Sequence, residues 1–133
     1  MRMAYLDTCC LIYLLEDVPP FSTRIRKLLA NNLDVTLCLS PLVRMEVLVK
    51  PMTDANAALI ADYEDFIAAQ QWLPIGNAVF ESALRLRVQH RLKTPDALHL
   101  ACAQHHACTE FWTNDERLTQ AAASGMLVRT LTP

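Results

Sequence analysis

The stretch MAYLDTCCLIYLLE (residues 3–16) decides the fold of this chain. Its first four residues, MAYL, are apolar and predict a short strand. The following TCCLIYLLE predicts a helix that stops at the DVPP segment (17–20). A strand that leads directly into a helix is typical of α/β proteins with a parallel sheet. Asp7 stands at the junction of the two elements.

The same alternation of strand-like and helix-like segments continues along the chain, and no linker or repeat divides it. Further strands are predicted at 35–39, 72–75, 110–113 and 126–129. Further helices are predicted at 22–31, 41–49, 54–70, 77–91, 94–106 and 115–123, with KPMTD (50–54) the most loop-like interior stretch. We therefore predict one domain, residues 1–133, with an α/β fold in which a parallel sheet of about five strands is flanked by helices.

The composition excludes several classes of protein. At 133 residues and 53% hydrophobic, the chain is long enough to bury a core. Its formal net charge of −2 excludes a globally basic nucleic-acid binder. Two glycines are too few for a P-loop or a dinucleotide-binding turn. Five cysteines, an odd number, favour free thiols in the reducing cytoplasm, and no apolar run is long enough for a membrane span or a signal peptide.

Four acidic residues stand beside apolar segments, where a carboxylate is costly unless it is paired or bound to a metal. Asp7 closes the first strand, Asp115 follows the fourth strand closely, and Asp96 opens the apolar helix PDALHLACA. Glu46 lies within LVRMEVLV, on the helix that begins at Ser40-Pro41. Because ligands of open α/β sheets bind beyond the carboxyl ends of the strands, we expect the four acids to meet there.

The simplest alternative for the aspartates is that each caps or complements a helix N-terminus, which is worth about 0.3–2 kcal/mol. Glu46 is harder to explain in this way. On a helix it shares an apolar face with Leu42, Met45 and Val49. We therefore expect this carboxylate to have a partner.

Four convergent carboxylates indicate a specific chemistry. Mg²⁺ and Mn²⁺ prefer carboxylate oxygens and water as ligands. Such a metal site can orient and deprotonate a water for in-line attack on phosphorus. Without a metal the carboxylates would repel one another and raise one another's pKa values.

The chain resembles the PIN domains, and in particular the short VapC-like toxins of type II toxin–antitoxin pairs. The resemblance covers nearly the whole chain and rests on four ordered segments: YLDTCCLIYLLE, SPLVRMEVLV, KTPDALHLACA and FWTNDERL. It implies a three-layer sandwich and a Mg²⁺- or Mn²⁺-dependent endoribonuclease that acts on RNA in the cytoplasm. It also implies a homodimer and a cognate antitoxin protein.

The resemblance further implies roles for individual residues. The acidic quartet, both catalytic and metal-binding, falls on Asp7, Glu46, Asp96 and Asp115, with Asp7 and Asp96 the firmest direct ligands. Glu46 and Asp115 are expected to act through water or a second ion. Thr8 and Asn114 match polar residues that lie beside the acids in similar proteins and orient water or phosphate. We therefore expect these two residues to position the substrate.

Other functions compete with this hypothesis. A haloacid-dehalogenase phosphatase needs a second Asp two residues after the first, and position 9 is Cys. A receiver domain needs a phosphoacceptor Asp after a middle strand and a late Lys, whereas the second strand ends in Leu39-Ser40. The main alternative is a catalytically silent PIN-like module that binds RNA or a protein.

The basic run RLRVQHRLK (85–93) precedes Asp96 and suggests RNA-backbone contacts through Arg85 and Arg91. The alternative is an ordinary solvated helix face.

His99, Cys102 and His106 lie at helical spacing, which suggests zinc. Since the surrounding helix is apolar, we expect His99 and Cys102 in the core or an interface instead. Trp72 and Trp112 are also expected in the core.

Overall fold

The computed structural model describes residues 1–131 as five strands and seven helices. The strands are β1 (Met3–Leu6), β2 (Thr36–Leu39), β3 (Gln71–Trp72), β4 (Glu110–Thr113) and β5 (Leu127–Thr130). The helices are α1 (Thr8–Leu15), α2 (Phe21–Ala30), α3 (Pro41–Thr53), α4 (Ala57–Ala68), α5 (Asn77–His90), α6 (Thr94–His105) and α7 (Leu118–Ala121). The predicted domain, 1–133, includes two residues that lie outside this described range.

The strands form one sheet in the order β3-β2-β1-β4-β5, and every pairing in it is parallel. This confirms the predicted α/β fold with a five-stranded parallel sheet. Successive side chains of a strand point to opposite faces, and Ala4, Tyr5 and Leu6 of β1 are all fully buried. Both faces of the central strand are therefore covered, as in a three-layer sandwich.

Aromatic side chains fill the core around the two central strands. Tyr5 of β1 stacks on Phe111 of β4, with ring centroids 5.3 Å apart. Trp112 is fully buried, as predicted, and its indole Nε1–H donates to Glu110. The prediction that Trp72 is also buried is wrong, because this residue is 41% exposed on β3, the edge strand.

Several predicted elements differ in length from the observed ones, among them the helix predicted at 54–70, which shortens to α4. The helix predicted at 41–49 continues to Thr53, into the KPMTD segment. Pro51 removes only one intrahelical hydrogen bond, and the Thr53 hydroxyl donates to the Val49 carbonyl at 2.7 Å. The strand predicted at 72–75 shrinks to β3, and the helix predicted at 115–123 shrinks to α7.

The carboxyl ends of the two central strands are joined beyond the last paired residues. Leu6 pairs with Trp112, and the Asp7 N–H then donates to the Trp112 carbonyl at 2.9 Å. Helix α1 begins at once, so Asp7 is fixed between the sheet and a helix N-terminus. Within residues 1–131, no helix combines the length and apolarity needed to cross a bilayer.

Candidate active site

All four predicted acids line one groove of about 430 Å³ at the carboxyl edge of the sheet, which we call the acidic groove. Asp7 follows β1, Asp115 follows β4, Glu46 comes from α3, and Asp96 comes from the first turn of α6. The two predicted positioning residues line it as well, and so do His99 and Thr113. The topology thus converges side chains that are more than a hundred residues apart in sequence.

Asp7 is the most firmly held of the four acids. Its carboxylate Oδ1 accepts from the Thr8 backbone N–H at 2.8 Å, so it caps α1 as the simplest alternative predicted. Its Oδ2 accepts from the Thr113 hydroxyl at 2.7 Å. Capping and membership of the acidic cluster are therefore compatible, because each carboxylate oxygen offers two lone pairs.

Thr113, the last residue of β4, is a site residue that the sequence analysis missed. It is fully buried, and its Oγ1 also accepts from the Asp115 N–H at 3.1 Å. One hydroxyl thus links the Asp7 side chain to the Asp115 backbone. A threonine at the end of a strand is too common for its sequence position alone to reveal this role.

Glu46 has the partner that the sequence led us to expect, and that partner is His99. The distance between Glu46 Oε1 and His99 Nε2 is 2.6 Å, and the Thr8 hydroxyl donates to the same oxygen at 2.7 Å. The hydrogen bond from His99 lowers the pKa of Glu46, followed by that from Thr8, against the effect of burial. The apolar face predicted around Glu46 is not all core, because Met45 and Val49 are 59% and 60% exposed.

Asp96 has the least favourable surroundings for a negative charge among the four acids. Burial raises its pKa, and the negative charges of Asp7 and Asp115 raise it further. Among the described residues, none pairs with its carboxylate by a hydrogen bond or an ion pair. A half-buried carboxylate in this position is stabilised either by a proton or by a cation.

Asp115 is paired within the chain by Arg117. The Arg117 guanidinium donates to Oδ2 at 2.6 Å and to Oδ1 at 2.9 Å, and its backbone N–H donates to Oδ1 at 3.0 Å. These bonds lower the pKa of Asp115. Since the Arg117 side chain is 75% exposed, solvent screens this ion pair and its contribution to stability is small.

The two predicted positioning residues face the acidic groove in different ways. Thr8 is committed to Glu46 through its hydroxyl. The Asn114 amide nitrogen donates to the Tyr13 hydroxyl at 3.3 Å, and its buried Oδ1 has no partner among the described residues. Whichever way the amide is turned, one of its polar atoms is left without a partner and out of contact with solvent.

The two predicted RNA-contacting arginines lie in different surroundings. Arg91 lines a second groove of about 230 Å³, which we call the basic groove, together with His90, Lys93 and Arg117. The basic groove shares Asp96 and Asp115 with the acidic groove, so the two are continuous. Arg85 does not line either groove, and its guanidinium donates to Ser82 on α5 at 3.3 Å.

The residues considered for zinc are engaged separately. His99 contacts Glu46, Cys102 is buried with its thiol directed at the Leu73 carbonyl, and His106 Nε2 lies 2.8 Å from the Pro74 carbonyl. His99 and Cys102 are therefore core residues, as predicted.

A fifth acid, Glu110, is also buried, but it forms ion pairs with two arginines. Arg2 and Arg129 contact its two carboxylate oxygens at 2.8 and 2.6 Å, at the start of β4 and so at the opposite end of this strand from the acidic groove. Its pKa is lowered by these bonds despite burial. Glu110 is therefore part of a structural ion pair, whereas among the described residues no cation contacts the Asp96 carboxylate directly.

The donor set of the acidic groove suits a hard divalent cation, because it offers carboxylate oxygens and one unpaired carboxylate. In the part of the chain that the structure describes, no three His, Cys, Asp or Glu side chains close around a single point as a ready-made cage. Mg²⁺ typically keeps several waters and binds through one or two carboxylates. The residues present therefore fit an ion whose shell is completed by water.

Comparison with solved structures places the fold among toxin–antitoxin proteins. A toxin–antitoxin complex from Klebsiella pneumoniae matches with a TM-score of 0.75 and 24% identity, over 97% of this chain and 98% of that one. DNA-bound VapBC from Salmonella typhimurium matches with a TM-score of 0.77 and 19% identity, over 99% and 100%. FitAcB from Neisseria gonorrhoeae matches with a TM-score of 0.69 and 20% identity, over 97% and 98%.

At these identities the structural matches establish a shared fold. No curated protein sequence matches the chain significantly. The family model of the PIN domain, in contrast, matches residues 4–124, which include all four acids and both grooves. Over most of its length, therefore, this chain belongs to the PIN domain family.

Proposed function

We propose that this PIN domain is a metal-dependent endoribonuclease and the toxin of a toxin–antitoxin pair. The observation that carries the proposal is the convergence of Asp7, Glu46, Asp96 and Asp115 on one groove. PIN domains are typically nucleases, and the acidic groove supplies the ligands that phosphodiester hydrolysis needs. Asp96 supports this most directly, because its pKa is raised by burial and then by the charges of Asp7 and Asp115, which a bound cation would offset.

In this proposal Asp7 and Asp96 hold a Mg²⁺ or Mn²⁺ ion, with Glu46 and Asp115 acting through water or a second ion. When bound, the ion supplies an activated water and offsets charge on the leaving oxygen. The chain's own residues orient the reactants. Thr8 and His99 keep Glu46 ionised and directed at the groove, and Asn114, which lines the groove, positions a water or a sugar hydroxyl.

RNA is the proposed substrate, and the basic groove is its proposed contact surface beside the acids. Arg91, Lys93 and Arg117 place three cations next to Asp96 and Asp115. A phosphate adjacent to the scissile one can therefore lie against positive charge, while the acids would hold the metal ion that offsets the charge of the reacting phosphate. Arg85, which lies outside this surface, is kept as a weaker candidate for a more distant phosphate.

We also propose a homodimer. Helix α3 exposes Met45, Val49 and Met52 at helical spacing, with more than half of each side chain in contact with solvent. Helix α5 exposes Phe80, Leu84 and Val88 in the same way. Single exposed apolar residues are common on protein surfaces, but rows of three on each of two helices are not. Such rows fit a surface that a second copy of the chain covers.

A cognate antitoxin is the second proposed partner, and the cytoplasm is the proposed location. Three of the solved structures with this fold are titled as a toxin–antitoxin complex, VapBC and FitAcB. An antitoxin could inhibit by laying a peptide over the acidic groove and pairing an Arg or Lys with its carboxylates. The five free cysteines are compatible with a reducing compartment.

The deciding experiment incubates the purified protein with unstructured RNA, structured RNA and single-stranded DNA in millimolar Mn²⁺ or Mg²⁺. We expect internal cleavage of RNA that EDTA and Asp7→Asn abolish. Binding of RNA without cleavage would favour the silent module instead, an alternative to which the internal Arg117–Asp115 pair lends some support. Cleavage that survives both EDTA and Asp7→Asn would refute the assigned site.

A further inference from the structure

We propose that His99 is a positioning residue of the acidic groove: its Nε2–H fixes the Glu46 carboxylate, and the hydroxyls of Tyr5 and Ser40 fix its imidazole. Nothing in the family resemblance assigned a role to this histidine. The proposal rests on the proposed nuclease function for its kinetic test only, because the hydrogen-bond arrangement can be tested separately.

The geometry consists of a row of short contacts that runs from the core to the groove. Ser40 Oγ lies 2.7 Å from the Tyr5 hydroxyl, and the Tyr5 hydroxyl lies 2.6 Å from His99 Nδ1. His99 Nε2 then lies 2.6 Å from Glu46 Oε1. Tyr5 and Ser40 are fully buried and His99 is 2% exposed, so water does not compete for the bonds among these three residues.

The donor and acceptor capacity of each group sets the direction of every hydrogen bond in this row. An ionised carboxylate can only accept, so His99 must carry a proton on Nε2. In the neutral imidazole Nδ1 then accepts, and the Tyr5 hydroxyl donates to it. Ser40 Oγ already accepts from the Val43 N–H at 3.4 Å, which leaves its own proton for the Tyr5 oxygen.

Three separate elements of the fold contribute to this row. Tyr5 lies on β1, Ser40 caps α3, Glu46 lies on α3, and His99 lies on α6 one turn after Asp96. Residues three apart on a helix lie on neighbouring parts of one face. The imidazole therefore ties the position of Glu46 to the helix that carries Asp96.

The consequence for Glu46 is a fixed orientation. A glutamate side chain loses rotamer entropy on being held in one conformation, so its partners must offset that loss. Here Thr8 and His99 both donate to Oε1, and Oε2 is left for a water in the groove. Outer partners of this kind typically change metal affinity or activity by about 10–100-fold when they are removed.

The kinetic test compares His99→Gln with His99→Leu. The Gln amide can still donate to Glu46, whereas Leu cannot. We expect kcat for RNA cleavage to fall by about 10–100-fold in His99→Leu with KM nearly unchanged, and His99→Gln to recover most of the loss. Equal rates for the two folded variants would overturn the proposal, since a purely structural histidine would not distinguish them by donor capacity.

Two further measurements keep the outcome decisive. If His99→Leu does not fold, Tyr5→Phe takes its place, because it removes only the hydroxyl that holds Nδ1; a kcat equal to that of the wild type would overturn the proposal. Nitrogen-15 NMR of the metal-free wild type should show His99 protonated at Nε2, and an unprotonated Nε2 would contradict the proposal. A wild type that never cleaves RNA but shows this proton refutes the nuclease and leaves the hydrogen-bond arrangement standing.

Discussion

Thr113 donates its buried hydroxyl to Asp7 Oδ2 at 2.7 Å, and so joins the ends of the two central strands through a side chain. The Oγ1 atom of Thr113 also accepts a hydrogen bond from the Asp115 N–H. One group without charge of its own thus fixes the relative position of two acids of the groove.

Thr113→Val tests this relationship. It conserves shape but removes the hydroxyl donor to Asp7 Oδ2 and leaves the Asp115 N–H without this acceptor, so we expect a loss of about 1–3 kcal/mol in the free energy of unfolding. Urea denaturation with an unchanged m-value would measure it. The exposed Thr119→Val should stay within about 0.5 kcal/mol of the wild type. An unchanged stability for Thr113→Val would show that the hydroxyl is dispensable.

The raised pKa of Asp96 predicts that the metal-free protein loses stability as the pH rises. Its pKa is raised in the folded state, so the folded chain binds more protons there than the unfolded chain does. This contribution therefore destabilises the metal-free protein progressively as pH rises from the unfolded-state pKa through the raised value. Asp96→Asn should be more stable than the wild type at neutral pH without metal, and the difference should vanish in acid. Thermal melting across pH measures this, and a less stable Asp96→Asn at neutral pH would contradict it.

The two arginines predicted to contact RNA, Arg85 and Arg91, are expected to behave differently. Arg91→Gln removes a cation from the basic groove, so KM for RNA should rise and the salt dependence of binding should weaken by about 0.7 in the log–log slope for a single-stranded contact. Arg85→Gln is the matched control, with the same chemistry on the same run outside either groove. Equal effects of the two substitutions on KM and slope would argue against the basic groove as the contact surface.

The proposed dimer predicts a charge-sensitive surface on α5. Leu84→Glu places a carboxylate within the exposed apolar row, and we expect it to shift the protein to monomer in sedimentation or light scattering. Its effect on the unfolding of the monomer itself should stay within about 0.5 kcal/mol, because Leu84 is 57% exposed. Gln89→Glu on the same helix controls for added charge. A wild type that is monomeric at all concentrations would refute the dimer.

The fold was predictable where burial acts on both faces of a strand. The bounds of β1 and β4 match the prediction because four consecutive residues there pack on both sides of the sheet. The edge strand β3 was overestimated because its length is set by pairing with β2, and that pairing covers only Gln71 and Trp72. The same edge position leaves Trp72 exposed, which its aromatic character alone could not indicate.

The site was predictable for its acids and not for the groups that hold them. A carboxylate at a strand end or on an apolar helix is conspicuous, and this identified all four lining acids. Thr113 and His99 are ordinary in sequence, since a threonine in a strand and a histidine in a packing helix need no special explanation. One signal was available for His99: it follows Asp96 by three residues and therefore lies near it on one helix face.

The central claim is that the acidic groove is a divalent-metal site, and calorimetric titration of Mn²⁺ into the pure protein tests it most directly. We predict saturable binding to the wild type, weakened by more than about tenfold in Asp96→Asn, with Asp62→Asn on the exposed face of α4 as the unaffected control. Absence of Mn²⁺ binding, or equal binding by the wild type and Asp96→Asn, would contradict the account.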